Sequence, residues 1–260
     1  MSSQTPNTLT VVRHGQTPSN QLQDVRSRDP AYLEFQRAYD RQPRDYAELH
    51  ELALGLIASG KFSLGYSDPE MPLTSHGRAQ ALLTGAAFSR RAKLPDGVIL
   101  SPHKRAVQTL EQMTVAWPGL SKVPTIEDTN ANERDHGSEH PYHDWRIFSI
   151  LHPEERKLLE EVGFYWYPYL KGESIPQVRE RQQQILDRMS GEYPGANVLL
   201  ITGHVASIAL RATIEQLNPD GFMNLYQKTR PINCGVTTYA NSGTGAEPTL
   251  EVVTYNQRLS

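Results

Sequence analysis

The sequence predicts an α/β fold, three layers α/β/α around a mostly parallel central sheet, with a helical insertion after the first strand. Three observations carry that prediction. Short aliphatic runs at Leu9–Val12, Val98–Leu100 and Val198–Ile201 read as buried strands. Segments of helical spacing separate them, as crossovers between parallel strands require. No internal repeat or linker divides the 260 residues, so one domain is expected, 1–260, with the insertion at about 24–65.

The first strand runs into Arg13-His14-Gly15 and so presents a cation and an imidazole at its carboxyl edge, where open α/β sheets place ligands. Gly15 permits a turn or a close backbone approach, and Thr17-Pro18-Ser19-Asn20 reads as a capped turn that aims amide N–H groups inward. Residues 30–60 read as two helical pieces parted by Pro43. Tyr46, Leu49, Ala53, Leu56 and Ile57 share one face of the second, and Gly60 suits its C-cap. The arginines of this segment, Arg26, Arg28, Arg37, Arg41 and Arg44, mark either a solvated face or a lid over an anionic substrate. After turn material at 65–72, Thr74 is the expected N-cap of a helix reaching about Arg91. The next strand stops at Ser101-Pro102, and a helix follows at once. Arg105 then lies in its first turn, and a guanidinium beside a helix amino terminus is a natural anion site.

A weak strand near 123–126 leads to Asn132-Glu133-Arg134-Asp135-His136-Gly137, whose density of titratable groups suits a site. His136, His140 and His143 are spaced to suggest a metal, but Pro141 interrupts the helix that would align them, and no metal site is expected. Residues 153–162 read as a helix and 164–169 as an aromatic patch, in the core or on a pocket wall. Ser174 with Gln177 forms a capping box that opens a long helix ending near Tyr193-Pro194-Gly195. The third apolar strand finishes in Gly203-His204, and a helix from Val205 to about Leu217 follows. Residues 235–239 and 250–255 pair most easily as a hairpin across loop 241–248.

Composition narrows the function classes. With a net charge of −3 there is no global basic footprint for nucleic acid, so any anion site is local. The lone Cys234 excludes an intrachain disulfide framework and a cysteine-built zinc site, and reads as a small buried hydrophobe. No apolar run approaches membrane length, and the opening residues lack a signal-peptide pattern. A cytoplasmic protein with no membrane partner is therefore expected.

If the three strand edges converge, Arg13, His14, Arg105 and His204 surround one volume. Guanidinium forks match phosphate oxygens, a neutral imidazole can attack phosphorus, and Glu133 supplies a proton donor for the leaving oxygen. No metal and no cofactor is called for, because side chains provide the positive charge.

The motifs also resemble those of a known family. Leu9-Thr10-Val11-Val12-Arg13-His14-Gly15 with Asn20, Pro72-Leu73-Thr74-Ser75-His76-Gly77, Ser101 to Thr109, Glu133 to Gly137, Gly172-Glu173-Ser174 and Thr202-Gly203-His204 together resemble the histidine phosphatase superfamily, the phosphoglycerate mutase-like proteins. The resemblance implies that His14 becomes phosphohistidine, that Arg13, Arg105 and His204 form the phosphate pocket with support from Asn20, and that Glu133 is acid and then base. Gly15, Thr17, Arg134 and His136 are expected to contribute to substrate binding. Departures bear on subtype. The mutases carry a tyrosine at His136, an asparagine at Ala206 and a basic group beyond the glutamate that has no clear match here, which favours hydrolysis over transfer. Gly203 and Val205 replace the usual residues around the second histidine and change the pocket floor. The expected partner is a small phosphate ester. A mutase or an inactive phosphate sensor on the same fold is the alternative, and the insertion is either a lid or a homodimer contact.

Overall fold

The computed structural model describes residues 5–242 and 250–259. Six strands form one sheet in the order β3-β2-β4-β1-β5-β6. They are β1 (Thr8–Arg13), β2 (Gly97–Leu100), β3 (Thr125–Glu127), β4 (Asn197–Thr202), β5 (Val236–Asn241) and β6 (Leu250–Gln257). The first four run parallel; β5 is antiparallel to β1, and β6 to β5. The sheet is thus mostly parallel, as expected. The 235–255 hairpin pairs as expected too, and residues 243–249 of its connection lie outside the described residues.

Alternation within the strands explains the three layers. Val12, Val98, Leu100, Leu199 and Ile201 face one way, onto α4 (Ser75–Arg91) and α5 (Lys104–Ala116) through Ala81, Ala106 and Met113. Leu9, Val11, Ile99, Val198 and Leu200 face the other, onto Ile185 and Met189 of α8 (Ile175–Glu192) and Leu210 of α9 (His204–Ile214). A strand apolar on both sides needs a helical layer on both faces.

The segment after β1 folds as α1 (Pro18–Arg26), α2 (Pro30–Asp40) and α3 (Tyr46–Ala58). Leu22, Tyr32, Phe35, Leu49, Ala53 and Leu56 pack with Ile147 and Ile150 of α6 (Trp145–Leu151) in a core of their own, beside the sheet core. α7 (Pro153–Val162) follows, and α10 (Pro219–Lys228) packs through Phe222 on α9. The sequence left α1, α6 and α10 unmarked. Thr17 and Asn20 exchange hydrogen bonds that serve a turn or a first helical turn equally well, so the cap alone did not separate the two. α6 has seven residues, too few to display a period.

Register sets the site. Arg13 lies opposite Thr202 and Leu100 opposite Ile201, so the residues leaving β1, β2 and β4 emerge side by side. The turn after β1 is fixed against α4 by two glycines. A Cβ on Gly15 would lie 2.5 Å from the carbonyl oxygen of Gly77, and one on Gly77 would lie 2.1 Å from that of Gln16. Thr74 caps α4 and donates its N–H to Gln16 O at 2.9 Å. Gly77→Ala is therefore expected to destabilise by about 1–3 kcal/mol through overpacking against backbone. Thr74→Ala should lose about 1 kcal/mol with its cap. Urea unfolding monitored by circular dichroism measures both, and a Gly77→Ala protein as stable as the parent would show the approach to be slack.

Candidate active site

Arg13, His14, Asn20, Arg105, Glu133 and His204 all line one cleft of about 990 Å³. His14 is 5% exposed, and its Nδ1 faces the carbonyl oxygen of Gly15 at 2.8 Å. A carbonyl only accepts, so Nδ1 holds the proton and Nε2 keeps its lone pair. Burial, then the charges of Arg105 and Arg13, push the His14 pKa well below 6.5, so the ring is neutral near pH 7.

Each cation is held by a different partner. Arg13 Nη1 donates to Pro231 O at 2.6 Å, and burial lowers its pKa to about 10, still protonated at neutral pH. Arg105 is clamped by Asp68: Nη1 donates to the backbone oxygen at 2.6 Å and Nη2 to Oδ2 at 3.0 Å. Burial alone would raise the Asp68 carboxyl, but His140 and Arg105 outweigh it and hold it well below the usual range. Asn20 Oδ1 accepts from Thr17 N, Thr17 Oγ1 and Asn233 Nδ2, and Asn233 Nδ2 also reaches His14 O at 3.2 Å. The Asn20 carbonyl is thereby committed to the scaffold, which leaves its amide N–H donors for the cleft.

Glu133 sits on the amino terminus of α9. Its carboxylate accepts from His204 N, from Val205 N at 2.9 Å, from Ala206 N at 3.3 Å and from Arg134 N at 2.7 Å. Burial pushes its pKa up, yet the Arg134 amide and the charge of Arg105 prevail and leave it below the ordinary value. Helix amino-terminal donors favour this ionised form. Burial and then Arg13 lower His204 to about 4, so that ring is neutral near pH 7. A Cβ at Gly203 would lie 2.4 Å from Glu133 Oε2, so a side chain there would make the carboxylate shift from the position it holds at the helix end. Val205 donates its N–H to Glu133 and packs its side chain with Ile175 and Ile208.

The other expected residues have scaffold contacts too. Gly15 donates its N–H to Thr109 Oγ1 at 3.0 Å and packs its α-carbon against Gly77. Arg134 lines the cleft, but Nε and Nη2 are committed to the carbonyls of Glu173 and Tyr167 at 2.8 Å each. Its buried Nη1 has no hydrogen-bond partner. Thr17 lines the cleft while capping α1, and His136 stacks on Tyr169 with centroids 4.7 Å apart. Asp68, Asn233 and Pro231 went unrecognised in the sequence. Asp68 lay in turn material, and the other two meet Arg13 and His14 across separations of 218 and 219 residues that no local pattern signals. Arg146 and Arg156, on α6 and α7, line the same cleft.

Comparison with known proteins adds to this geometry. The family model described as histidine phosphatase superfamily (branch 1) matches residues 63–249, beginning where the insertion ends. A 2,3-bisphosphoglycerate-dependent phosphoglycerate mutase of Azorhizobium caulinodans is 28% identical over 174 residues, covering 61% of this chain and 76% of that protein. The structure of Bacillus stearothermophilus YhfR aligns with a TM-score of 0.65 at 18% identity, over 97% of this chain and 99% of that one. A mycobacterial glucosyl-3-phosphoglycerate phosphatase aligns with a TM-score of 0.62 at 17% identity, over 96% and 98% of the two chains. These structural likenesses speak to the fold, and the family match spans well over half of the sequence: the chain belongs to the histidine phosphatase superfamily.

Proposed function

We propose that the protein is a phosphatase that hydrolyses a small phosphate monoester through a phosphohistidine on His14. The observation that carries this reading is a buried imidazole, neutral and held by its Nδ1 proton, between two arginines on the wall of a large cleft. Arg13, Arg105, His204 and the Asn20 amide would bind the phosphoryl oxygens while Nε2 attacks phosphorus and the ester oxygen departs. Glu133 would protonate that oxygen, then take a proton from the water that cleaves the phosphohistidine, which returns His14 and releases phosphate. In the absence of substrate Glu133 is an anion on the α9 amino terminus, so a bound phosphate dianion must raise its pKa before it can act as an acid.

Ala206 and His136 stand where the mutases have an asparagine and a tyrosine, which supports release of phosphate over transfer. The A. caulinodans relative keeps phosphotransfer as the second reading. We include the segment 24–65 in the proposal as an insertion within one domain, since Arg26, Tyr32 and Tyr39 form one wall of the cleft. No helix among the described residues is long and apolar enough to cross a membrane.

Phosphate release from p-nitrophenyl phosphate without added metal is expected for the parent protein and is expected to vanish in His14→Ala. Undiminished turnover by that variant would remove His14 from the chemistry. Glu133→Gln should lower kcat for an alkyl phosphate by about 10²–10⁴-fold. With an aryl phosphate, whose leaving group needs no proton, the same variant should accumulate acid-labile phosphoenzyme visible by mass spectrometry. For pH dependence, protonation of His14 begins only well below 6.5, so kcat/KM, corrected for the ester's own ionisation near about 6, should not fall as pH drops from 8 to 6.5. The acid limb of kcat should lie at higher pH than that of kcat/KM, because Glu133 must be ionised to activate water while phosphate on the enzyme holds its proton on.

A further inference from the structure

The connection between α10 and β5 brings one turn, residues 231–235, against the end of β1. The backbones of the two are laced together: Cys234 N donates to Arg13 O at 3.0 Å, and Arg13 N donates to Gly235 O at 3.2 Å. Pro231 O accepts from the Arg13 guanidinium. Asn256 of β6 holds the turn from another side, its Oδ1 accepting from Ile232 N at 2.7 Å, and a Cβ on Gly235 would lie 2.3 Å from that oxygen. The turn is therefore fixed to the sheet edge on which the site lies.

From this turn Asn233 reaches two residues of the site. Nδ2 donates to Asn20 Oδ1 at 3.0 Å and to His14 O at 3.2 Å. An amide nitrogen carries two hydrogens, so both are spent and none is left for a ligand. Turned over, the amide would set Oδ1 against two acceptors, so the same contacts fix which way it points. The other partners of Asn20 serve a different purpose. Thr17 N and Thr17 Oγ1 belong to the same first turn of α1 and move with it, so they shape the helix start without setting its distance from His14. His14 needs the tie less: Thr202 O accepts its N–H at 3.0 Å, and Cys234 N reaches its carbonyl oxygen at 3.3 Å. The contact from Asn233 therefore bears mostly on Asn20.

We infer that Asn233 is a positioning residue: it anchors the Asn20 carboxamide to the strand end that carries His14, so that the free Asn20 N–H donors meet the oxygens of a phosphoryl group placed at His14. The inference rests on the reading of this cleft as a phosphate site. It deepens that reading by giving a part in phosphate binding to a residue 213 positions from Asn20 in the chain, which acts through Asn20 and donates nothing to the ligand itself.

The test measures inorganic phosphate binding by calorimetry, and p-nitrophenyl phosphate kinetics, in the parent, Asn233→Leu, Asn20→Ala and the double variant. Leucine keeps the branching and approximate size of asparagine and removes the donor. Asn233→Leu should weaken phosphate binding by about tenfold, as loss of a hydrogen bond to a charged group does. It should lower kcat/KM by a similar factor, carried by KM. Asn20→Ala should cost as much, and the double variant no more than the worse of the two, because one residue acts through the other. Melting temperatures show whether each variant folds, and Asn233→Ala takes the place of a leucine variant that does not. Phosphate binding that a folded Asn233 variant leaves unchanged overturns the inference, as does a parent protein that binds no phosphate. Losses that multiply in the double variant also overturn it, since a general loosening of the site would act independently of Asn20, and so does a loss carried by kcat alone. If the parent binds phosphate but hydrolyses no ester, the phosphatase reading fails by itself, and the binding cycle still decides the role of Asn233.

Discussion

A pocket that buries two guanidinium groups beside a helix amino terminus needs an anion, and much of this structure is an answer to that need. Arg13 lies against a backbone carbonyl, Arg105 against Asp68, and the first turn of α9 against Glu133. An unpaired charge so placed would cost several kcal/mol. Burial, with the same positive potential added, keeps His14 and His204 neutral. Glu133 is thus the counter-ion of the helix end.

Close backbone contact is what lets these groups converge. Gly15 against Gly77 fixes the His14 turn to the helix beside it, and Gly203 leaves room for the Glu133 side chain at α9. Gly137 does the same for the loop that carries Glu133, since a Cβ there would lie 2.2 Å from Leu170 O. Glu173 then ties that loop from behind, accepting from Asp135 N and from Arg181, whose Nη1 donates to Asn130 O. These loops are held from outside the cleft, which keeps their cleft-facing edges available to a ligand.

The sheet and its layers were legible because their signals are local. Leu9–Val12 and Val198–Ile201 are apolar on both faces, and that alone demands helices above and below. Thr74, Ser174 and Gly60 marked helix ends through short-range hydrogen bonds and a positive φ, and the structure keeps all three assignments. The convergence of four residues on one cleft was legible for a related reason: strand ends in a parallel sheet share one edge, so Arg13-His14, Arg105 and His204 had to approach each other once the strands paired. The helices α1, α6 and α10 were not, since a short helix shows no period and its apolar face is defined by the neighbour it meets.

By itself, then, the sequence determined the α/β layering, the edge on which the site lies and the residue types gathered there, because strand period, caps and motif order are properties of adjacent residues. Only the tertiary structure decided what those residues touch. It packed Gly15 against Gly77, gave Asp68 to Arg105, seated Glu133 on α9 and brought Arg44 to the same cleft as Arg146 and Arg156. Those contacts join segments far apart in the chain. They exist only after loop closure has been offset by burial, so no local pattern could carry them.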